Sequence, residues 1–235
     1  MMGSSSGMSL IELVVSMAII TIFGAAVIFF FSTTLSSTTK VDTDNTVHME
    51  AQSAWNQMRN DIQNSNAGIY SDGTNLVLYR KTPQVDESTG EAVLDGSGNP
   101  IYKKAERTVY TFDSTSNQLK YNYYTADFNS GAWTNWANTD GELVFAGFVS
   151  DLTDADGNAL PGFEVSIKDS EGTELSGSTL SDKTPKSVQV TIRYLNDKAK
   201  TETVKNVTIR NKMKWVPGKD GSGNEMEVYP SDVVN

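Results

Sequence analysis

The sequence predicts an α+β fold: a long N-terminal helix packed on an antiparallel β-sheet head. Three observations carry this. A charge-free apolar run extends from Leu13 to Phe31, an apolar stripe recurs at helical spacing from Val47 to Ile62, and strand-like segments separated by turn residues follow residue 66. At 235 residues with 38% hydrophobic content, the chain is sized for one globular head plus an additional segment. It has no cysteine, so a disulfide framework, a thiolate metal site and a cysteine nucleophile are all excluded, and the head must be held by its core. A formal net charge of −10, with 19 Lys and Arg against 29 Asp and Glu, leaves no strong case for a nucleic-acid partner, which would need a basic face.

The N-terminal segment differs in kind from the rest. Glu12 is the only ionisable side chain before Lys40, and within Leu13–Phe31 the polar side chains are Ser16 and Thr21 alone. Nineteen helical residues rise roughly 28 Å, close to the hydrocarbon thickness of a bilayer, so a membrane-spanning helix is the direct reading. A cleaved secretory signal fits less well, because the run exceeds the usual apolar region of about 7–15 residues and the following Ser-Thr-Thr-Leu-Ser-Ser is a poor small-x-small site. An ordinary anchor leaves Glu12 unexplained, since a carboxylate at the start of an apolar helix is costly without a partner.

Gly7-Met8-Ser9-Leu10-Ile11-Glu12-Leu13-Val14-Val15 resembles the class III signal of type IV prepilins and type II secretion pseudopilins. The resemblance implies a pilin fold, cleavage by a prepilin peptidase between Gly7 and Met8, N-methylation of Met8, and a role in assembly for Glu12, the fifth mature residue. It divides the chain into a leader (1–7), a transmembrane and filament-core helix (8–31), an amphipathic continuation (32–66), and a β-rich head with an irregular C-terminal tail (67–235). The implied partners are other pilin subunits, the prepilin peptidase, a pilus assembly platform and, before assembly, membrane lipid; no cofactor is implied. The protein would be a single-pass membrane protein with its head outside the cytoplasm, then part of an extracellular filament. Two features depart from the family pattern: the leader carries no Lys or Arg, and no proline interrupts the membrane helix, where Phe29 occupies the usual place. Gly24 is the one weak helix former inside the run, at a cost of about 1 kcal/mol relative to alanine.

The electrostatics of Glu12 are consistent with that role. A buried carboxylate is tolerated when a positive partner arrives with it, and cleavage would create one, the Met8 amine of a neighbouring subunit.

Beyond the membrane segment, Val47, Ala51, Ala54, Trp55, Met58 and Ile62 define one helix face, and the helix is expected to end near Asn64. His48, Glu50, Gln52, Asn56 and Arg59 are expected to be mostly solvated, with Met49 off the stripe. Leu76–Lys81 reads as a strand and Thr82–Pro100 as a loop. Arg107–Phe112 and Gln118–Tyr124 flank Asp-Ser-Thr-Ser-Asn as a hairpin. Glu142–Phe148, Gly162–Lys168, Ser187–Leu195 and Thr201–Arg210 follow as strands; in the last, Val204, Val207 and Ile209 break step once, as at a bulge. This hairpin, the Asp-Ala-Asp-Gly-Asn turn and the closing Val-Thr-Ile-Arg-Asn resemble PilW-type minor pilins and J-type pseudopilins. The tail from Lys214 is expected to be irregular.

Weaker candidate sites remain. Asp151, Asp154, Asp156 and Asn158 have calcium-like spacing, but Ala159 stands where an EF-hand loop needs glycine, so a solvated turn is expected. Asp-Gly-Ser-Gly-Asn occurs at 95–99 and again at 220–224, as shared turn chemistry or duplication would produce. Tyr121, Tyr123, Tyr124, Trp133 and Trp136 form an aromatic-rich stretch, read as partly core and partly exposed. With one histidine, no GxSxG, no phosphate-cradling loop and no HExxH, no catalytic constellation is present. The expected function is that of a non-enzymatic structural subunit, a minor pilin, with a pseudopilin of a secretion or DNA-uptake machine or a tethered binding module as alternatives.

Overall fold

The computed structural model describes residues 10–98, 100–129, 132–176, 184–196 and 199–216. Among the described residues one helix, α1 (Leu10–Asn64), precedes eleven strands: β1 (Gly68–Ser71), β2 (Asn75–Pro83), β3 (Tyr102–Asp113), β4 (Gln118–Asn129), β5 (Ala132–Ala146), β6 (Leu152–Thr153), β7 (Ala159–Leu160), β8 (Phe163–Asp169), β9 (Pro185–Asn196), β10 (Ala199–Thr208) and β11 (Lys214–Trp215). The chain divides into two units, residues 1–46 and 47–235. The α+β expectation holds.

In the second unit, α1 lays its predicted stripe on the core. Val47, Ala51, Ala54, Trp55, Met58 and Ile62 are all buried, while His48, Met49 and Gln52 on the other faces are exposed. These side chains join Ile69, Leu76, Leu78, Tyr110 and Leu119 from one sheet and Phe163, Val165, Val188, Val190, Ile192 and Tyr194 from another in a single core. Burying each large aliphatic side chain contributes about 1.5–3 kcal/mol, so the stripe is a main attachment of helix to head. The helix ends at Asn64, as the periodicity predicts. Its last turn is closed by Asn211, whose Nδ2 donates to the carbonyls of Gln63 and Ser65, supplying partners that a helix end otherwise lacks.

The larger sheet has the order β11-β1-β2-β3-β4-β5 and the smaller β10-β9-β8; β6 and β7 form a short ribbon. All pairings are antiparallel except β1 with β11. The Asp113–Asn117 turn between β3 and β4 forms as expected, with the Asp113 carboxylate accepting from the Thr115 and Ser116 amides and Asn117 at φ 53°. Between β4 and β5 the register slips, so that Asn122 faces Glu142 but Tyr124 faces Asn138; the extra residues on β5 include Gly141 at φ 72°.

Several expectations need correction. The loop expected over Thr82–Pro100 holds beyond Pro83, where β2 ends, and it is ordered by the isolated bridges Val85–Ala92 and Leu94–Pro100 and a Gln84 amide donating to Ile101 O. The strand expected over Glu142–Phe148 ends at Ala146, and the chain crosses to the smaller sheet, where the Leu195 amide donates to Phe148 O. No bulge occurs in β10: pairing with β9 runs unbroken from Ala199–Asn196 to Thr208–Ser187. Val204 lies out of step because it belongs to the opposite, exposed face, whereas Val207 and Ile209 are buried. The tail is not irregular at its start: Lys214 and Trp215 pair with Gly68 and Ile69, and Trp215 is among the most buried side chains.

Candidate functional site

Of the predicted processing and assembly residues, Gly7 and Met8 lie outside the described residues, and Glu12 sits in the first turn of α1. Around it the helix is almost entirely apolar. Leu10–Thr39 has mean hydropathy 2.7 over its most apolar window, and none of that window is buried within the chain. Phe29, Phe30 and Phe31 present their rings outward, as do Ile19, Ile20, Ile22 and Ile28. An aliphatic and aromatic surface of this length is unstable in water, so lipid or other protein must cover it.

The hydroxyl-rich stretch after Phe31 continues the helix without a break. Thr33 and Thr34 donate to the carbonyls of Phe29 and Phe30, and Thr38 and Thr39 donate to Thr34 and Leu35. Thr21 does the same with Met17. Each of these hydroxyls therefore finds an acceptor in the helix's own backbone, which is how such polar groups tolerate an apolar surrounding.

The prokaryotic N-terminal methylation motif matches residues 2–28. The match supports a class III prepilin-type signal, and the long apolar N-terminal helix followed by a mostly antiparallel head is consistent with an α+β pilin fold. Such a signal implies processing by a prepilin peptidase and assembly with other pilin-like chains, and it points to a structural subunit and away from an enzyme. No curated protein and no solved structure matches the chain.

The other candidates resolve into structural roles. Asp154 closes its own turn, accepting from the Asp156 and Asn158 amides and from Asn158 Nδ2, and these bonds hold its carboxyl below the usual range. Asp151 instead accepts from the Gly162 amide at 2.7 Å, so the two carboxylates are engaged separately. Among the described residues no group of three or more His, Asp or Glu is arranged to hold a metal. Asp95 closes the first Asp-Gly-Ser-Gly-Asn turn, with its Oδ1 accepting from the Ser97 amide; the second copy, 220–224, lies outside the described residues.

The aromatic stretch divides as expected for Tyr121, which packs its ring edge-on to Tyr110 and stacks on Phe145 beside the core. Tyr123 and Tyr124 are half-buried, with Lys104 and Arg107 over their respective rings. Trp133 and Trp136 lie on β5.

Sequence reasoning missed two carboxylates on α1. Glu50, expected in solvent, accepts a hydrogen bond from the Gly147 amide where the chain leaves β5. Asp61 accepts from the Tyr110 hydroxyl on β3 and lines a cleft of about 220 Å³ with Arg80, Glu106, Tyr121 and Tyr123. Glu106 in this cleft is approached by Arg80, also of the lining, at 3.7 Å and by Lys104 at 3.4 Å. These are pairings between helix and sheet or between strands, with no nucleophile and base set against each other. Charge on the stripe's flanks was the available signal, and periodicity alone gave it no partner.

Proposed function

We propose that this chain is a minor subunit of a type IV pilus or related filament, inserted in the membrane as a prepilin and then cleaved and assembled through its N-terminal helix. The observation that carries the reading is an apolar helical span, Leu10–Thr39, none of whose most apolar window is buried, overlapped by the methylation motif at residues 2–28. Residues 1–7 are the leader, 8–31 the membrane and filament-core helix, 32–66 its amphipathic continuation and 67–235 the head. The peptidase cuts between Gly7 and Met8, and Met8 is N-methylated. Glu12 of one subunit then neutralises the Met8 amine of its neighbour, so that assembly offsets the cost of carrying each charge into an apolar core. The head lies outside the cytoplasm, and the assembled subunit is extracellular; its partners are other pilin subunits, the peptidase, the assembly platform and, beforehand, membrane lipid.

The test is the mass of the mature protein in cells with and without prepilin peptidase, fractionated into membranes and sheared filaments. Loss of the leader after Gly7 and low-abundance recovery with filaments are expected, and Glu12→Ala should reduce that recovery. Processing without recovery in any surface filament would favour a pseudopilin. An uncut chain that stays in the membrane would leave a tethered domain as the better account.

A further inference from the structure

In the head, α1 carries acids and a cation on opposite flanks of its buried stripe. Glu50 and Asp61 lie within about 20° of one another around the helix. Both are engaged on the side of the six-stranded sheet, Glu50 by the Gly147 amide and Asp61 by the Tyr110 hydroxyl. Arg59 stands about 160° or more around the helix from either, beside β10 of the smaller sheet.

There α1 and β10 bound a cleft of about 370 Å³, within the size range of small-molecule sites. Trp55, Arg59 and Gln63, spaced four residues apart, form one row of the helix along it, and residues of β10 and the chain just after it form the other wall. Trp55 and Val207, one from each wall, are buried in the common core. The walls are thus positioned by apolar packing, independently of the polar groups they present.

Three cations line this cleft: Arg59 from the helix, Lys205 from β10 and Arg210 two residues beyond the strand. The lining contains no acid. Among the described residues none of the three side chains has an ion-pair or hydrogen-bond partner. The acids of the neighbouring strands are engaged elsewhere. Glu202, three residues from Lys205 and so on the other face of β10, pairs with Arg193, as does Glu164 of β8. Asp169 at the end of β8 accepts from the Glu171 and Thr173 amides, and Glu171 and Glu174 lie in the turn beyond β8, which β9 separates from β10. β9 itself has no acid. In a chain of formal charge −10, this is a local concentration of unopposed positive charge, and an anion that joins it relieves its self-repulsion.

Neutral donors accompany the cations. Gln63 and Asn206 supply amide N–H groups and Thr208 a hydroxyl. β10 is also an edge of its sheet, so alternate backbone N–H groups along it point away from β9, and a sheet edge of this kind forms an anion-binding concavity. Charge and donor count favour a phosphate monoester over a carboxylate. A monoester carries about −1.5 to −2 charge at neutral pH on three terminal oxygens, which matches three cations, whereas a carboxylate offers one charge on two oxygens.

We infer that the cleft between α1 and β10 binds a small hydroxylated phosphate monoester, of the sugar-phosphate class, with Arg59, Lys205 and Arg210 on the phosphate oxygens and Gln63, Asn206 and Thr208 on the hydroxyls. This holds whether or not the chain enters a filament.

The test is isothermal titration of the detergent-solubilised full chain with glucose 6-phosphate, with glucose and a DNA duplex as comparators. Glucose 6-phosphate should bind with a Kd of about 1 mM or tighter, and glucose should not bind detectably. Arg59→Gln and Arg210→Gln should each weaken glucose 6-phosphate binding by about tenfold, while Lys103→Gln, at an exposed position on β3, should leave it unchanged. Both arginines are exposed, so the two variants should unfold at the parent's urea midpoint, which separates a lost ligand contact from a lost fold. No binding of glucose 6-phosphate, or equal binding by the parent and both arginine variants, would overturn the site. So would a duplex that binds more tightly than the sugar phosphate and is lost in the same variants, because the cleft would then serve the phosphodiesters of a polymer.

Discussion

The Tyr110 hydroxyl donates a 2.5 Å hydrogen bond to Asp61 Oδ2, tying the last turns of α1 to the centre of the six-stranded sheet. Burial raises the pKa of both groups, although the bond itself, Arg80 and Gln57 favour the Asp61 carboxylate. Tyr110→Phe removes the donor and leaves a half-desolvated acceptor behind. It should cost about 1–3 kcal/mol in urea unfolding followed by tryptophan fluorescence.

The same pair sets a pH dependence. With its folded pKa above the ordinary 3.8, Asp61 holds a proton more readily in the native state than in the unfolded chain. Its contribution to stability is therefore greatest below pH 4 and is lost as pH rises through the folded value. Asp61→Asn keeps an acceptor for Tyr110 and removes the titration. Stability of the variant relative to the parent should improve as pH rises from below 4 through the folded pKa of Asp61 and level off above it, and a pH-independent difference would show that Asp61 titrates normally.

The helix stripe should dominate the attachment of α1 to the head. Met58 and Ile62 are fully buried, so Met58→Ala should cost about 2–5 kcal/mol. Met49→Ala, two residues from both Val47 and Ala51 and so on the opposite, exposed face, should stay within about 0.5 kcal/mol. Comparable losses at both positions would mean that the described helix face is wrong.

Arg193, buried on β9, donates through Nε to Glu202 at 2.8 Å and through Nη1 to Pro161 O at 2.6 Å and Glu164 at 3.3 Å. It ties neighbouring strands to the turn before β8. Arg193→Ala should cost about 1–3 kcal/mol, because it removes a buried donor from the Pro161 carbonyl as well as from two half-exposed carboxylates, while Glu202→Gln, half-exposed and still an acceptor, should cost less. Thermal unfolding of the two variants separates them.

Much of this was legible in local sequence. The stripe from Val47 to Ile62 and the alternation of Val188, Val190, Ile192 and Tyr194 are periodic over enough residues to place a face, and both were found buried as read. What escaped was short or non-local. β1 has four residues and β11 two, and their parallel pairing joins Gly68 to Lys214 across the length of the head. β5 runs ten residues further toward the N-terminus than expected because its N-terminal part is polar and its register slips twice against β4 past Asn122. At the candidate site the signal was readable because its chemistry is contiguous in sequence. Glu50 and Asp61 were not, because their partners, Gly147 and Tyr110, come from distant strands.

The parallel closure of β11 on β1 has a mechanical side. β1 leaves the end of α1, and β11 runs beside it in the same direction, with the Lys214 amide bonded to Ala67 O and the Val216 amide to Ile69 O. Tension between the helix and residues beyond Val216 therefore pulls these strands along their length in opposite senses. The bonds are loaded together in shear, not opened one after another, and Asn211, clamped to the carbonyls of Gln63 and Ser65, shares the load at the same point. A head joined to its stalk in this way resists being peeled from the end at which it is held.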